Sequence, residues 1–270
     1  MTTADTITPD ATATTLTSPG VFPTFAPSDP ANFRDLGGIV VDGGTVATAT
    51  LFRSDDLCLV SAGYAEMLLR DHGITAIIDL RSAAEVAGTG RGPLGHLSAN
   101  YHHLALGGDV IINSASSLAD LDALAEWYTR LLELSTHKIV TAISIISVEK
   151  GATVFHCAAG KDRTGILAAA ILALLGADAD AIAVDYARTH PVLENIITRL
   201  ATSPGSHGSG TDVRPMLSMV PRPPVLTAEY SVMLAVLALV VERHGSIEAL
   251  LRTAGLDDAL LERLRARLLC

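Results

Sequence analysis

Nine consecutive residues, His156-Cys157-Ala158-Ala159-Gly160-Lys161-Asp162-Arg163-Thr164, combine a nucleophile, a fixed cation and a glycine within one short stretch of this 270-residue chain. Apolar Thr153–His156 precedes them and reads as a short strand, and the run from Thr164 to Leu175 reads as a helix. A loop that leaves a strand and enters a helix turns successive backbone N–H groups inward at the positive helix end, forming a nest for an anion. The amides of Ala158 to Asp162 would form that cradle, and Gly160 permits its tight path. Arg163, six residues after Cys157, is placed to fork onto two phosphate oxygens. The same field favours the thiolate of Cys157 over the thiol. Thr164 is placed to hydrogen-bond the sulfur, and His156 to fix the loop from within. These types and spacings suit attack of sulfur on a phosphoester, giving a phosphocysteine that water hydrolyses. A buried structural cysteine beside an unrelated arginine is the plain alternative. It leaves the coincidence of His, Cys, Gly, Arg and Thr between strand and helix without a reason.

Departure of the leaving group needs a proton donor. Asp162 lies inside the loop, and Asp79 lies at the carboxyl end of a predicted strand, Ile74–Leu80. Each has a structural alternative: Asp162 as an ion-pair partner of Arg53 or another loop neighbour, and Asp79 as the anchor of a backbone turn. For Asp79 the anchor is favoured. Arg34, Asp35, Arg53 and Asp55 either shape a phosphate pocket or pair with one another as supports. For Arg53 support is favoured, because a strand end beside the loop needs its carbonyls and carboxylates satisfied. Lys161 adds a second positive charge, as a substrate contact or as a solvated lysine that raises the local potential.

The elements that must position these groups read as follows. Gly38–Val41 and Thr45–Arg53 are expected as strands about a turn at Asp42-Gly43-Gly44. Ser61 caps a helix through His72, and Ile74–Leu80 and Tyr101–Leu104 are strands. Asp120–Leu134, Lys138–Glu149 and Asp178–Thr189 have helical spacing. So do a helix capped by Thr227 and ending at Arg243, and the segments Ser246–Thr253 and Asp257–Leu268. This alternation predicts an α/β fold with a small, mainly parallel sheet flanked by helices and a helical C-terminus. Asp120–Glu149 and Pro191–Val225 are candidates for a helical lid over the pocket, with ordinary core packing as the alternative. Residues 1–28, rich in Thr, Ala, Pro and Asp, are expected as a disordered tail, and 29–270 as one domain.

A net charge of −10 argues against a nucleic-acid partner. The apolar tracts Ile166–Ala177 and Val232–Val241 fall short of the roughly 20 residues a membrane span needs. Met1–Asp10 holds acids and no Lys or Arg, so a cytoplasmic location is expected, with non-classical secretion left open. Cys58, Cys157 and Cys270 lack both a disulfide framework and the paired spacing of a zinc site, and no metal or other cofactor is expected. Cys58 and Cys270 are read as spectators, each able to form a protective disulfide with Cys157 under oxidation.

The loop resembles the His-Cys-x5-Arg-Thr signature of the protein tyrosine phosphatase superfamily, and Gly160-Lys161-Asp162-Arg163 resembles its atypical bacterial branch. Asn32-Phe33-Arg34-Asp35-Leu36-Gly37-Gly38, Leu51-Phe52-Arg53-Ser54, Ile78-Asp79-Leu80-Arg81-Ser82 and His244-Gly245-Ser246-Ile247-Glu248 are similar to the same branch. The resemblance implies a cysteine phosphatase fold with a helical lid, and no metal. It implies activity on phosphotyrosine and often phosphoinositides, with phosphoserine or phosphothreonine as further candidates. It favours Asp162 as the acid and links Lys161 to inositol phosphate head groups. Where the branch often carries Asn, this chain has His190, so no role is transferred to that residue. A non-catalytic phospho-ligand-binding module and a rhodanese-like sulfurtransferase are the competing readings. The first should lack the nucleophile, and the second does not need Lys161, Arg163 and Thr164 together.

Overall fold

Three strands buried along almost their whole length form the centre of a five-stranded sheet in the computed structural model: β4 (Leu51–Ser54), β5 (Ile74–Asp79) and β7 (Ala152–His156). With β1 (Arg34–Asp35) and β6 (Asn100–His103), the order is β1-β4-β7-β5-β6, parallel throughout except for β1 against β4. The described residues are 29–107, 119–202 and 223–270. The expected tail at 1–28 and residues 203–222 of the candidate lid Pro191–Val225 lie outside them.

Side-chain alternation sorts the central strands onto two cores. Leu51, Ile78 and Phe155 face the larger one, and Phe52, Ile77 and Val154 face the smaller. The smaller core is closed by α1 (Ala62–His72), where Ser61 caps Tyr64 N–H as its type predicts and Ala65 and Leu68 point inward. The larger core surrounds α4 (Asp162–Leu174), buried on nearly every side as its unbroken Ile, Leu and Ala sequence requires. Around it pack α3 (Leu121–Val148), α5 (Ala179–Ala187), α7 (Tyr230–His244), α8 (Ile247–Arg252) and α9 (Asp258–Leu268). Two further helices, α2 (Ala83–Thr89) and α6 (Leu193–Thr202), flank the carboxyl ends of the strands through Glu85 and Arg199.

Several expectations need correction. The predicted strand Thr45–Arg53 is broken. Its start, β3 (Gly44–Thr45), pairs with β2 (Val40–Val41) in a separate hairpin. The chain then turns at Ala49, whose φ is +53°, because the Asp35 carboxylate takes both Gly37 N–H (2.8 Å) and Ala49 N–H (2.7 Å). The helices expected over Asp120–Leu134 and Lys138–Glu149 are one 28-residue helix, α3. Ser135 and Thr136 do not interrupt it, since both are buried and Ser135 Oγ accepts from Gly107 N–H at 3.1 Å. This helix is a core element rather than a lid, with Leu124, Leu131, Ile139 and Ile143 in the main core. Among the described helices α3 alone has the length and apolarity of a membrane span, and 56% of that window is buried inside the fold. Thr227 does not cap α7. Its hydroxyl donates to Pro224 C=O at 2.9 Å and closes a 3-10 turn at Pro224–Leu226.

Candidate active site

The parallel register brings Ser54, His156 and Asp79 side by side at the carboxyl edge of the sheet, and Cys157 follows directly. The loop is then bent by its carbonyls. Asp56 N–H holds Ala158 C=O (3.0 Å), Asn32 Nδ2 holds Ala159 C=O (3.3 Å) and Gly160 C=O (3.0 Å), and Arg53 adds a bond to Gly160 C=O (2.8 Å). Three successive carbonyls drawn outward leave the intervening N–H groups facing the other way. Among the described residues nothing accepts from the amides of Ala158 to Lys161. That is an anion cradle with its donors free. Gly160 makes the bend at φ +64°, where a Cβ would lie 2.5 Å from Ser54 C=O. Gly160→Ala is therefore expected to cost about 1–3 kcal/mol of stability. A thermal melt and aryl phosphate turnover should fall together.

Cys157 is 1% exposed at the base of this cradle, with Thr164 donating to its sulfur at 3.1 Å. Arg163 and Asp162, expected in the loop before the helix, occupy the first turn of α4, which starts two residues earlier than predicted. The Arg163 guanidinium points its Nη1 and Nη2 at Glu85, at 2.5 and 2.8 Å. Burial opposes its charge, but Glu85 and Cys157 outweigh burial and push its pKa up, so it stays cationic. Of five N–H donors Glu85 takes two, and the Nε–Nη2 edge retains a fork for phosphate. Sequence reasoning missed Glu85. Its signal was Ser82-x-x-Glu85, a capping box that sets the first turn of α2 against the loop.

Lys161 is neither solvated nor open to a head group. It is 1% exposed, and its ammonium donates to Val225 C=O and Thr227 C=O (3.1 Å) and lies 3.2 Å from Asp162 Oδ1. The lysine holds the Pro224–Leu226 turn against the loop, and Val225 and Leu226 pack with Ala159, Ala31 and α6. Asp162 pairs with Lys161 and Tyr128 rather than with Arg53.

Arg53 and Arg34 do not pair with Asp35 or Asp55. Both bind Asp185 of α5, which no sequence signal marked. Asp55 instead accepts from Asn32 N–H (3.0 Å) and from Arg199 of α6 (2.8 Å). His156 Nδ1 lies 3.3 Å from Cys157 C=O, within the loop.

Asp79 is fully buried and held by Arg81 and by Tyr101 Oη (2.7 Å). Burial works to raise its pKa, but His156, Arg81 and Tyr101 prevail and keep it well below the carboxylate range. A carboxylate held this firmly in its charged form anchors the Arg81 turn and has no proton to give. Cys58, Asp79 and His156 bring their ligand atoms within 4.8 Å of one another. Arg81 lies against two of these, donating to Cys58 Sγ at 2.8 Å and to Asp79 Oδ2 at 2.7 Å, so the cluster already has its cation. Burial and nearby Asp56 push the Cys58 thiol far up, the opposite of what a nucleophile needs. Cys270 is exposed beside Thr45, and all three cysteines are free thiols.

The sequence pattern of the tyrosine phosphatase family matches residues 28–270. Triple specificity protein phosphatase PtpB of Mycobacterium tuberculosis is 30% identical over 88% of this chain and 96% of its own. A tyrosine-protein phosphatase of Nostoc commune is 27% identical over 96% of this chain and 90% of its own. A putative tyrosine-protein phosphatase of Cupriavidus necator is 32% identical over 58% of this chain and 59% of its own. With the match running through the sheet, the cysteine loop and the C-terminal helices alike, the chain belongs to the tyrosine phosphatase family and is a cysteine-dependent hydrolase of phosphoric monoesters.

Proposed function

We propose that the chain hydrolyses phosphotyrosine-type monoesters, with Cys157 as nucleophile, Arg163 as phosphate clamp and Asp162 as proton donor. The observation that carries this reading is the free cradle of amides from Ala158 to Lys161 around a sulfur that Thr164 already contacts. A phosphoryl group entering the cradle meets Sγ at its base. The S–P bond forms as the P–O bond to the leaving group breaks, and the leaving oxygen takes the proton of Asp162. Asp162, then a carboxylate, accepts a proton from the water that attacks phosphorus, and the thiolate departs toward the Thr164 hydroxyl. Because Cys157 is 1% exposed, a phosphate at the end of a long flat ring reaches it more readily than one on a short serine side chain. Family membership implies phosphoprotein substrates, and a relative named for triple specificity supports testing beyond phosphotyrosine.

A binding module without turnover does not need a nucleophile held under a hydroxyl in this way. The inositol-lipid reading loses its support from Lys161, whose ammonium is committed to backbone carbonyls.

The test is phosphate release from an aryl phosphate, a phosphotyrosine peptide, a phosphoserine peptide and phosphoinositides, with chelator present, together with rapid quench of labelled substrate. A labelled phosphocysteine at Cys157 and the highest kcat/KM on phosphotyrosine are expected. A phosphoinositide ranked first would overturn the substrate assignment, and turnover without a trapped intermediate would overturn the mechanism.

A further inference from the structure

Asp162 shows two unlike oxygens. Oδ1 accepts from Tyr128 Oη at 2.6 Å and lies 3.2 Å from Lys161 Nζ. Oδ2 accepts no hydrogen bond among the described residues, on a side chain that is 23% exposed. Tyr128 comes from the N-terminal third of α3, more than thirty residues earlier in the chain, and is fully buried. Its own oxygen lies 2.9 Å from Tyr186 Oη of α5, and the two rings meet edge to face at 5.9 Å. Tyr128 donates its single hydroxyl proton to Asp162 Oδ1, so Tyr186 donates to Tyr128. The chain of donors thus runs from Tyr186 to Tyr128 to Asp162 Oδ1. Burial, Asp162 and Tyr186 all push the Tyr128 hydroxyl well above its ordinary pKa, so it remains a donor through the working pH range.

We propose that Tyr128 is a positioning residue that reserves Asp162 Oδ1 and so directs the transferable proton to Oδ2, the oxygen left open toward solvent and substrate. This rests on Asp162 being the proton donor. With Oδ1 occupied by a hydroxyl and an ammonium, a proton on the carboxyl group resides on Oδ2. The carboxyl group cannot turn over to present the wrong oxygen without breaking both contacts. The buried tyrosine pair therefore acts on leaving-group departure while touching no part of the substrate.

The experiment compares two aryl esters in the full chain. Phenyl phosphate has a poor leaving group that needs protonation, whereas 4-nitrophenyl phosphate has a good one that needs little. Tyr128→Phe is expected to lower kcat for phenyl phosphate about tenfold, with KM within about twofold, and to leave 4-nitrophenyl phosphate within about threefold. On an Asp162→Asn background the same change should add less than about twofold, since the two residues act through one proton. Tyr186→Phe, which keeps the Tyr128 bond to Asp162, should show the same substrate pattern at smaller size. Equal losses on both esters, or losses that multiply with Asp162→Asn, would make Tyr128 a packing residue and overturn the proposal. If Asp162→Asn slows phenyl phosphate but Tyr128→Phe does not, the positioning role alone fails. If Asp162→Asn has no effect on phenyl phosphate, the proton-donor reading fails and the positioning role with it.

Discussion

Replacing Cys157 by Ser should lower turnover by about a thousandfold or more, while the protein stays folded. Around the sulfur stand free amides on one side, the Thr164 hydroxyl at 3.1 Å, and a permanently charged Arg163 on the next turn. A serine hydroxyl is a far weaker acid than a thiol and keeps its proton, since among the described residues only the Thr164 hydroxyl hydrogen-bonds this position. Its stability should stay within about 1 kcal/mol of wild type, since one atom of similar size is exchanged and the Thr164 donor still finds an acceptor. Vanadate or phosphate binding should persist, giving a protein that holds an oxyanion but does not turn over. Cys58→Ser is the control, expected to keep turnover within about threefold because that sulfur accepts from Arg81, away from the cysteine loop's amides. Activity surviving Cys157→Ser and lost in Cys58→Ser would reverse the assignment.

Asp185→Asn should remove about 3–5 kcal/mol of stability, a large share of the roughly 5–15 kcal/mol typical of a domain. Its carboxylate is almost wholly buried and binds Arg34 Nε at 2.9 Å as well as the Arg53 guanidinium. An amide there leaves two buried guanidiniums with no counter-charge. Arg34 already shows the strain of this crowding: burial and the charge of Arg53 bring it down to about 10 even with Asp185 present.

Burial works to raise the Asp185 carboxyl group, but Arg53 and Arg34 outweigh it and hold it below the ordinary range. A depressed folded-state value means that the contribution is complete above the unfolded carboxylate value of about 4. It is lost as pH falls through the folded-state value. Urea unfolding at pH 7 should therefore show the full difference between wild type and Asp185→Asn, and the two curves should approach one another below about pH 4. A difference under 1 kcal/mol at pH 7 would show that the paired arginines find other support.

The loop's chemistry was legible because its signal is local: nucleophile, glycine, arginine and threonine lie within eight residues between two apolar runs. The parallel sheet was legible for a related reason, since almost wholly buried strands such as Ile74–Asp79 read as mainly apolar stretches. What escaped were partners supplied across the fold. Glu85, Tyr128, Asp185 and Arg199 each complete a charge or hydrogen bond begun elsewhere in the chain, and side-chain pairing over such separations leaves no periodicity to read. Lys161 shows the same limit from the other side. Its type and place suggested a substrate contact, and only the position of the Pro224–Leu226 turn shows where its ammonium is spent.

The three carbonyl tethers of the cysteine loop have one more consequence. Asn32 is 128 residues from Gly160 in the chain, and Arg53 is 107. No segment containing the signature alone can therefore fold its own anion site, however complete its motif. During synthesis or after partial unfolding, the cysteine stands without its cradle. An anion site around that sulfur arrives only with the last long-range contact.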